Sequence, residues 1–263
     1  MEKNVYFCSR KMVRYALIGR KLGHSWSQQW FEARFRQSGH ADRSYGLHEM
    51  DSLDDLRRWV EREGIAGFNV TVPYKQAILP LLDGVDAHAH AIGAVNCVSV
   101  EQGRLVGHNT DAPAFLETIQ QSAFDIQHAV ILGTGGAAQA VAYALRQLGV
   151  EPLHVSRHPR GDRHLNYPDF AQRRLLPGTL LVNATPLGMY PDVDASPLPP
   201  PFAFPPSTPT SLMVYDLIYN PSPTRLLREA AAHGARTIDG LAMLKRQAEL
   251  SLAIWEEKGV GSW

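Results

Sequence analysis

Gly133-Thr134-Gly135-Gly136-Ala137-Ala138 follows the apolar run Ala129-Val130-Ile131-Leu132 and leads into Gln139-Ala140-Val141-Ala142-Tyr143-Ala144-Leu145-Arg146-Gln147-Leu148. The order is buried strand, sharp glycine turn, helix. Gly133 permits the turn, Gly135 lets the backbone approach a pyrophosphate, and small Ala138 lets the helix pack close to the strand. Backbone N–H groups at the start of the helix, aided by its dipole, face the phosphates. The helical run consists of good helix formers, and Gly149 is placed to end it. Glycine loops also arise as plain turns. The strand before and the helix after make this one a dinucleotide-binding βαβ unit, and they predict an α/β fold.

The next strand bears on the choice of dinucleotide. Pro152-Leu153-His154-Val155-Ser156 closes 23 residues after Gly133. An NAD-preferring site places Asp or Glu there to accept from the ribose 2′-hydroxyl. This chain has Ser156-Arg157-His158-Pro159-Arg160 instead. An acid would repel a 2′-phosphate, whereas a guanidinium grips it bidentately. NADP is therefore expected over NAD, with Arg157 as first candidate and Arg160 as second. For Arg160 a solvated basic loop is an equal alternative.

Composition sets the outer bounds. A length of 263 residues allows one large domain or two ordinary ones. Apolar residues make up 44% and charged residues 20%, as in a globular protein. The formal charge is zero, which argues against nucleic acid or an anionic membrane surface as partner. Cys8 and Cys97 are too few for a disulfide framework and fit a reducing, cytoplasmic setting. No run approaches the ~20 apolar residues of a membrane span, and residues 1–11 carry no apolar signal core. Two readings of residues 1–11 are open: a disordered extension, or a chain that truly starts at Met12.

Along the chain, short apolar runs alternate with helical patterns, and there is no internal repeat. Strands are expected at 15–19, 45–48, 67–72, 94–100 and 104–107, with a hairpin turn at Gln102-Gly103. Helices are expected at 28–37, with Trp30, Phe31 and Phe35 on one side, and at 53–61, with Asp51 and Ser52 as candidate caps. Further expected elements are a helix over 110–121, strands at 180–184 and 214–218, a helix over 226–233 stopped by Gly234, and a last helix over 241–255. Seven prolines between Pro197 and Pro209 rule out a helix there and predict a surface loop. Strands interleaved with helices argue for α/β layers. The expected organisation is a substrate-binding domain over 12–110, with a mainly parallel sheet. A Rossmann-type NADP domain follows over 111–238, and a C-terminal helix within 239–263 packs back on the first domain.

Hydride transfer needs groups that fix the substrate, a proton donor for the developing alkoxide, and a cleft that excludes water. Ser25 and Ser27 alternate after the first strand, so two hydroxyls on one side suit a carboxylate; Ser27 as a plain helix N-cap is the alternative. Asn69 and Thr71 share a strand face, and Lys75 lies just past that strand's end, where α/β proteins place ligands. A lysine partly withdrawn from water can shuttle protons, although a lone lysine is more often a solvated charge. Asn96, inside an apolar strand, needs polar partners. Asp111 could orient Lys75 and accept a substrate hydroxyl, or be merely the first-turn acid of a helix. His88-Ala89-His90 does not put both rings on one helix face, so no metal site is expected.

Taken together, these stretches resemble the shikimate dehydrogenases. The resemblance rests on Gly23-His24-Ser25-Trp26-Ser27, Asn69-Val70-Thr71-Val72-Pro73-Tyr74-Lys75, Gly93-Ala94-Val95-Asn96 and Asn109-Thr110-Asp111. It extends to Gly133-Thr134-Gly135-Gly136-Ala137, Asn183-Ala184-Thr185 and Asp239-Gly240-Leu241-Ala242-Met243-Leu244, followed by Gln247. The motifs keep the family's order and approximate spacing from about Tyr15 to Trp255. The resemblance implies NADP-linked, reversible reduction of 3-dehydroshikimate to shikimate in aromatic amino-acid biosynthesis. Lys75 and Asp111 would form the catalytic pair, and Ser25 and Ser27 would hold the substrate carboxylate. Thr71, Asn96, Asp111 and Gln247 would bind ring hydroxyls, with Tyr219 at the pocket edge. Gly133, Gly135, Gly136, Ala137 and Thr185 would cradle the cofactor, Leu217 and Gly240 would lie near the nicotinamide, and Ser156 and Arg157 would meet the adenosine ribose phosphate. A monomer or homodimer would fit.

This chain departs from the family pattern in places. Gln28 follows the second serine where the family usually has Pro, and Lys21 stands where Pro is common. Ser156-Arg157-His158 replaces Asn-Arg-Thr, and a further arginine is not in its common place, which softens the cofactor preference. Ala112 replaces a common Gly. Rival readings are a quinate/shikimate dehydrogenase with mixed NAD and NADP use, a folate-type NADP dehydrogenase, and a non-catalytic metabolite sensor.

Overall fold

The computed structural model describes residues 12–23, 25–198, 204 and 211–259. The expected extension 1–11, His24 and most of the proline-rich loop lie outside the described residues.

Two six-stranded sheets carry the fold. The first contains β1 (Val13–Gly19), β2 (Arg43–Glu49), β3 (Ile65–Val70), β4 (Gly84–Val85), β5 (Cys97–Glu101) and β6 (Arg104–His108), in the order β2-β1-β3-β5-β6-β4. Only β5 runs against its neighbours. The second contains β7 (His128–Leu132), β8 (Leu153–Val155), β9 (His164–Leu165), β10 (Thr179–Asn183), β11 (Leu212–Asp216) and β12 (Arg236–Ile238), in the order β12-β11-β10-β7-β8-β9 and parallel throughout. Parallel strands need crossovers, and helices supply most of them.

The helices are α1 (Trp26–Gln37), α2 (Leu56–Glu63), α3 (Tyr74–Ala77), α4 (Ala87–Ile92), α5 (Asp111–Gln121), α6 (Gly136–Gln147), α7 (Tyr167–Ala171), α8 (Arg225–Ala232) and α9 (Leu241–Gly259). The element types agree with the sequence reading, while several ends differ. The first helix starts at Trp26 because Ser25 is its cap: the Ser25 hydroxyl accepts from the Ser27 N–H at 3.2 Å. The second starts at Leu56, so Asp51 and Ser52 do not cap it; the Ser52 hydroxyl bonds Asp54 instead. The expected strand at 67–72 is β3, two residues earlier, and Thr71 and Val72 fall past its end. The expected strand at 94–100 begins as ladder only at Cys97, because Val95 N–H is spent on the Lys75 carbonyl at 2.7 Å. Gln102 and Gly103 both take positive φ (53° and 79°), the pairing that a two-residue hairpin turn requires.

α9 bridges the two sheets. Met243 near its start packs in the core under the second sheet, with Phe115, Ile131, Val141 and Tyr215. Ala248, Leu252 and Trp255 pack against the first sheet with Tyr15, Phe31 and Tyr45. The Trp255 ring stacks on Tyr15 at 4.6 Å between centroids, and its Nε1 donates to the Val98 carbonyl at 3.0 Å. Gly67 leaves the room: a Cβ there would sit 2.5 Å from Trp255 Nε1.

Candidate active site

Each sheet has a topological switch point, where neighbouring strands send their connections to opposite sides; such points open crevices at the strand C-termini. In the first sheet the crevice lies between β1 and β3, with Gly19 and Thr71 at its edges: Thr71 N–H donates to the Ile18 carbonyl at 2.9 Å. In the second it lies between β7 and β10, where Ala184 N–H donates to the Leu132 carbonyl at 3.0 Å. Gly133 takes φ 111°, and a Cβ on it would meet the Ala184 carbonyl oxygen at 3.2 Å and Thr185 Cγ2 at 3.3 Å. Gly is thus required there by both conformation and space.

Lys75 and Asp111 meet between the crevices. Lys75 Nζ donates to Asp111 Oδ2 at 2.6 Å, with the side chains 16% and 7% exposed. Asp111 is the first residue of α5, so it is also the first-turn acid that the sequence allowed as its alternative role. Both readings hold at once: the positive end of a helix favours an acid there, and that acid faces the lysine. Its other oxygen, Oδ1, accepts from Asn96 Nδ2 at 2.9 Å.

Asn96 is 2% exposed, and both ends of its amide are used. Nδ2 donates to Thr110 Oγ1 at 2.8 Å and lies 3.4 Å from Gln247 Oε1; Oδ1 accepts from the Thr110 N–H at 2.7 Å. Gln247 therefore comes to the site from α9. Two residues that the sequence reading did not select, Thr110 and Ser251, complete the network, their hydroxyls 3.2 Å apart. Asn69 shares it structurally: Oδ1 accepts from the Tyr45 hydroxyl at 2.8 Å, while Nδ2 donates to Ser251 Oγ and the Asn96 carbonyl. Mid-strand and mid-helix polar residues at 69 and 251 were the available signal.

Ser25 and Ser27 are both buried at the start of α1. Tyr219, from the segment after β11, places its hydroxyl against the Trp26 backbone amide, and burial raises its pKa. The sequence-selected serines and tyrosine thus converge on one helix start. Thr71 stands at the edge of the first crevice, its Cγ2 beside Gly19.

The second crevice suits a dinucleotide. Gly135 has nothing within 4 Å of where its Cβ would stand, so the backbone at the start of α6 is open to a ligand. Gly136 and Ala137 follow as the first residues of that helix, whose N–H groups have no intrahelical partner. At the end of β8 the Ser156 hydroxyl oxygen is buried and, among the described residues, has no hydrogen-bond partner. Arg157 is exposed beside it and near Tyr167. Arg160 is exposed as well. Thr185 is held by Asn183, whose Oδ1 accepts from the Thr185 N–H and hydroxyl at 3.0 and 2.7 Å. Leu217 and Gly240 touch: Gly240 N–H donates to the Ile218 carbonyl at 3.0 Å, and a Cβ on Gly240 would run into the Leu217 carbonyl.

Asp216, at the end of β11, is fully buried and takes hydrogen bonds from Thr224 Oγ1, Asn183 Nδ2 and the Ile218 N–H. Burial outweighs them and pushes its carboxyl up to about 6. It ties together the loops that carry Thr185 and Leu217. His88 Nδ1 lies 2.8 Å from the Tyr143 hydroxyl. Among the described residues no group of three metal-ligating side chains is assembled, and no helix is long and apolar enough to cross a membrane.

Comparison with known proteins points the same way. Residues 17–98 match the sequence model of the shikimate dehydrogenase substrate binding domain. A shikimate dehydrogenase (NADP(+)) of Nostoc sp. is 39% identical over 260 residues, covering 91% of this chain and 89% of that protein. The crystal structure of shikimate dehydrogenase 1 from Peptoclostridium difficile superposes with a TM-score of 0.83 at 35% identity, covering 94% of this chain and 92% of that one. A Thermus thermophilus shikimate 5-dehydrogenase, solved in complex with NADP(H) and shikimate, gives 0.79 at 36% identity, with 94% of each chain covered.

Proposed function

Because the chain belongs to the shikimate dehydrogenase family, we propose that it catalyses the NADP-linked, reversible reduction of 3-dehydroshikimate to shikimate. The observation that carries this reading is the Lys75–Asp111 pair, 2.6 Å apart and largely withdrawn from water, between a crevice lined with hydroxyls and one shaped for a dinucleotide. We assign 12–110 and the helix within 239–263 to the substrate lobe and 111–238 to the cofactor lobe.

NADPH supplies the hydride when bound. Ser25 and Ser27 hold the substrate carboxylate at the start of α1, with Tyr219 closing that edge. Thr71, Asn96, Asp111 and Gln247 take the ring hydroxyls and fix the C3 carbonyl beside Lys75. As the carbonyl is reduced, negative charge grows on its oxygen. Lys75 stabilises that charge and donates a proton to the oxygen; Asp111 keeps the ammonium aimed, using one of its three N–H groups and leaving two for substrate. In the reverse direction the neutral amine takes the hydroxyl proton. Gly133, Gly135, Gly136 and Ala137 form the cofactor cradle, with Thr185, Leu217 and Gly240 at its nicotinamide end. Ser156 and Arg157 receive the ribose 2′-phosphate, which makes NADP the preferred dinucleotide. A cytoplasmic setting accords with the free, buried thiol of Cys97.

The test is a spectrophotometric assay with shikimate and quinate, each offered with NADP+ and NAD+. Fastest turnover of shikimate with NADP+ is expected. Preference for quinate with NAD+ would transfer the chain to the quinate/shikimate reading. Tight binding without turnover would make it a sensor.

A further inference from the structure

Gly136 touches the lysine. A Cβ on Gly136 would stand 2.7 Å from Lys75 Cβ, 3.2 Å from Lys75 Cδ and 3.3 Å from Ala94 Cβ. Its neighbour Gly135 has nothing within 4 Å. The two adjacent glycines therefore face different things, one an open crevice and the other the stem of a side chain from the opposite lobe. Gly136 is the first residue of α6 and has ordinary backbone geometry, so its conformation does not call for glycine. Alanine would in fact favour the helix. The space taken by Lys75, and more narrowly by Ala94, excludes a side chain.

The lysine is held from the other sides as well. Its carbonyl accepts from Val95 N–H at 2.7 Å, the Ala94 carbonyl accepts from Asn109 Nδ2 at 2.8 Å, and Nζ is drawn to Asp111. Around the contact the residues are small: Ala94, Ala112 and Ala140 cluster with Ile92 and Tyr143 where α4, α5 and α6 meet.

We infer that Gly136, besides the backbone N–H it lends to the cofactor cradle, is a positioning residue for proton transfer: its bare Cα is the seat against which the Lys75 stem rests, and so it sets where the ammonium stands. This rests on the reading of Lys75 as proton donor. A methyl group at 136 must displace Lys75, or the lobe carrying it, by about 0.7 Å to restore ordinary contact at 3.4 Å. Lys75 Cβ is bonded to a backbone that Val95 pins, so it cannot swing aside as a side-chain tip would. Misplacement on this scale costs on the order of 10²-fold in rate.

The experiment compares Gly136→Ala with Gly135→Ala in the full chain, measuring turnover at saturating NADPH, NADP+ affinity by calorimetry without substrate, and melting temperature. Gly136→Ala is expected to lose about 10²-fold in kcat while NADP+ affinity stays within about threefold and the fold is kept. Gly135→Ala, whose Cβ would enter the open crevice rather than meet Lys75, is expected to weaken NADP+ binding, the effect that Gly136→Ala lacks. Gly136→Ala that keeps its kcat, or that loses NADP+ affinity instead, overturns the inference. So does a variant that fails to fold, because a shift of a fraction of an ångström between lobes breaks neither sheet. Absence of turnover in the unsubstituted chain would defeat the functional reading itself, a result distinct from either.

Discussion

Replacing Lys75 by methionine keeps the stem that rests beside Gly136 and Ala94 and removes only the ammonium. Asp111 then loses its donor at 2.6 Å and keeps Asn96 Nδ2 at 2.9 Å on the other oxygen. Removing one partner of a buried pair costs about 3–5 kcal/mol. The lysine side chain is 16% exposed, so water partly relieves the stranded carboxylate, and about 1–3 kcal/mol of stability is expected to go. The effect on rate is larger. Loss of a general acid is worth about 10²–10⁴-fold, or about 2.7–5.4 kcal/mol of barrier at ~1.36 kcal/mol per factor of ten. The change is read as kcat from the absorbance of the reduced nicotinamide, beside NADP+ affinity and a melting curve. Affinity should hold, since the cofactor crevice is untouched. A second change, Asp111→Leu, made in the Lys75→Met chain should recover stability, because an apolar pair replaces a lone charge, and recover no activity. A Lys75→Met chain with kcat within tenfold of the parent would refute the role of Lys75.

Ser25→Ala and Ser27→Ala should both raise KM for shikimate, but only Ser25→Ala should also cost about 1 kcal/mol in melting experiments, because Ser25 caps α1; equal stability losses would contradict this. Arg157→Ala should lower kcat/KM for NADPH by about 10–100-fold, the worth of a charge-assisted hydrogen bond, and leave NADH nearly unchanged; a parallel loss for both dinucleotides would remove Arg157 from the 2′-phosphate. Asp216 holds a proton in the folded chain between 3.8 and about 6 that the unfolded chain has released. Stability therefore falls as pH rises through that window and levels off above it. In Asp216→Asn the melting-temperature difference, variant minus parent, should climb from about pH 4 to about pH 6 and then stay level; a flat difference would refute the assignment. Gly67→Ala should destabilise by about 1–3 kcal/mol through overpacking against Trp255, and an unchanged melting curve would show that α9 can shift without cost.

Legibility followed how local the cause was. The glycine loop at 133–138 could be read because φ at Gly133, the small Ala138 and the flanking strand and helix all lie within 128–147. The hairpin at Gln102-Gly103 was readable for the same reason. Element ends were harder where a side chain was spent elsewhere: Ser52 bonds Asp54 rather than capping α2, and Val95 serves Lys75 rather than a ladder. At the site, Lys75, Asp111, Asn96 and Gln247 could be selected by type and by family resemblance, yet their meeting depends on residues up to 172 positions apart (247 − 75). Thr110 and Ser251 stayed hidden because a hydroxyl beside a motif, or inside a helix, is ordinary until its partners are in place. Gly136 was legible as a motif residue but not in its contact, because the partner lies in the other lobe.

The bridging course of α9 has a consequence for synthesis. Both sheets are translated before Leu241 appears, and the parts of Tyr15, Phe31 and Tyr45 that meet Trp255 stay uncovered until it arrives. On the ribosome the first sheet is thus sealed only after the second has been made, and until then it keeps an adhesive surface open to its surroundings. Nascent chains stalled ahead of Trp255 should need a chaperone to stay dispersed, whereas those released past it should not.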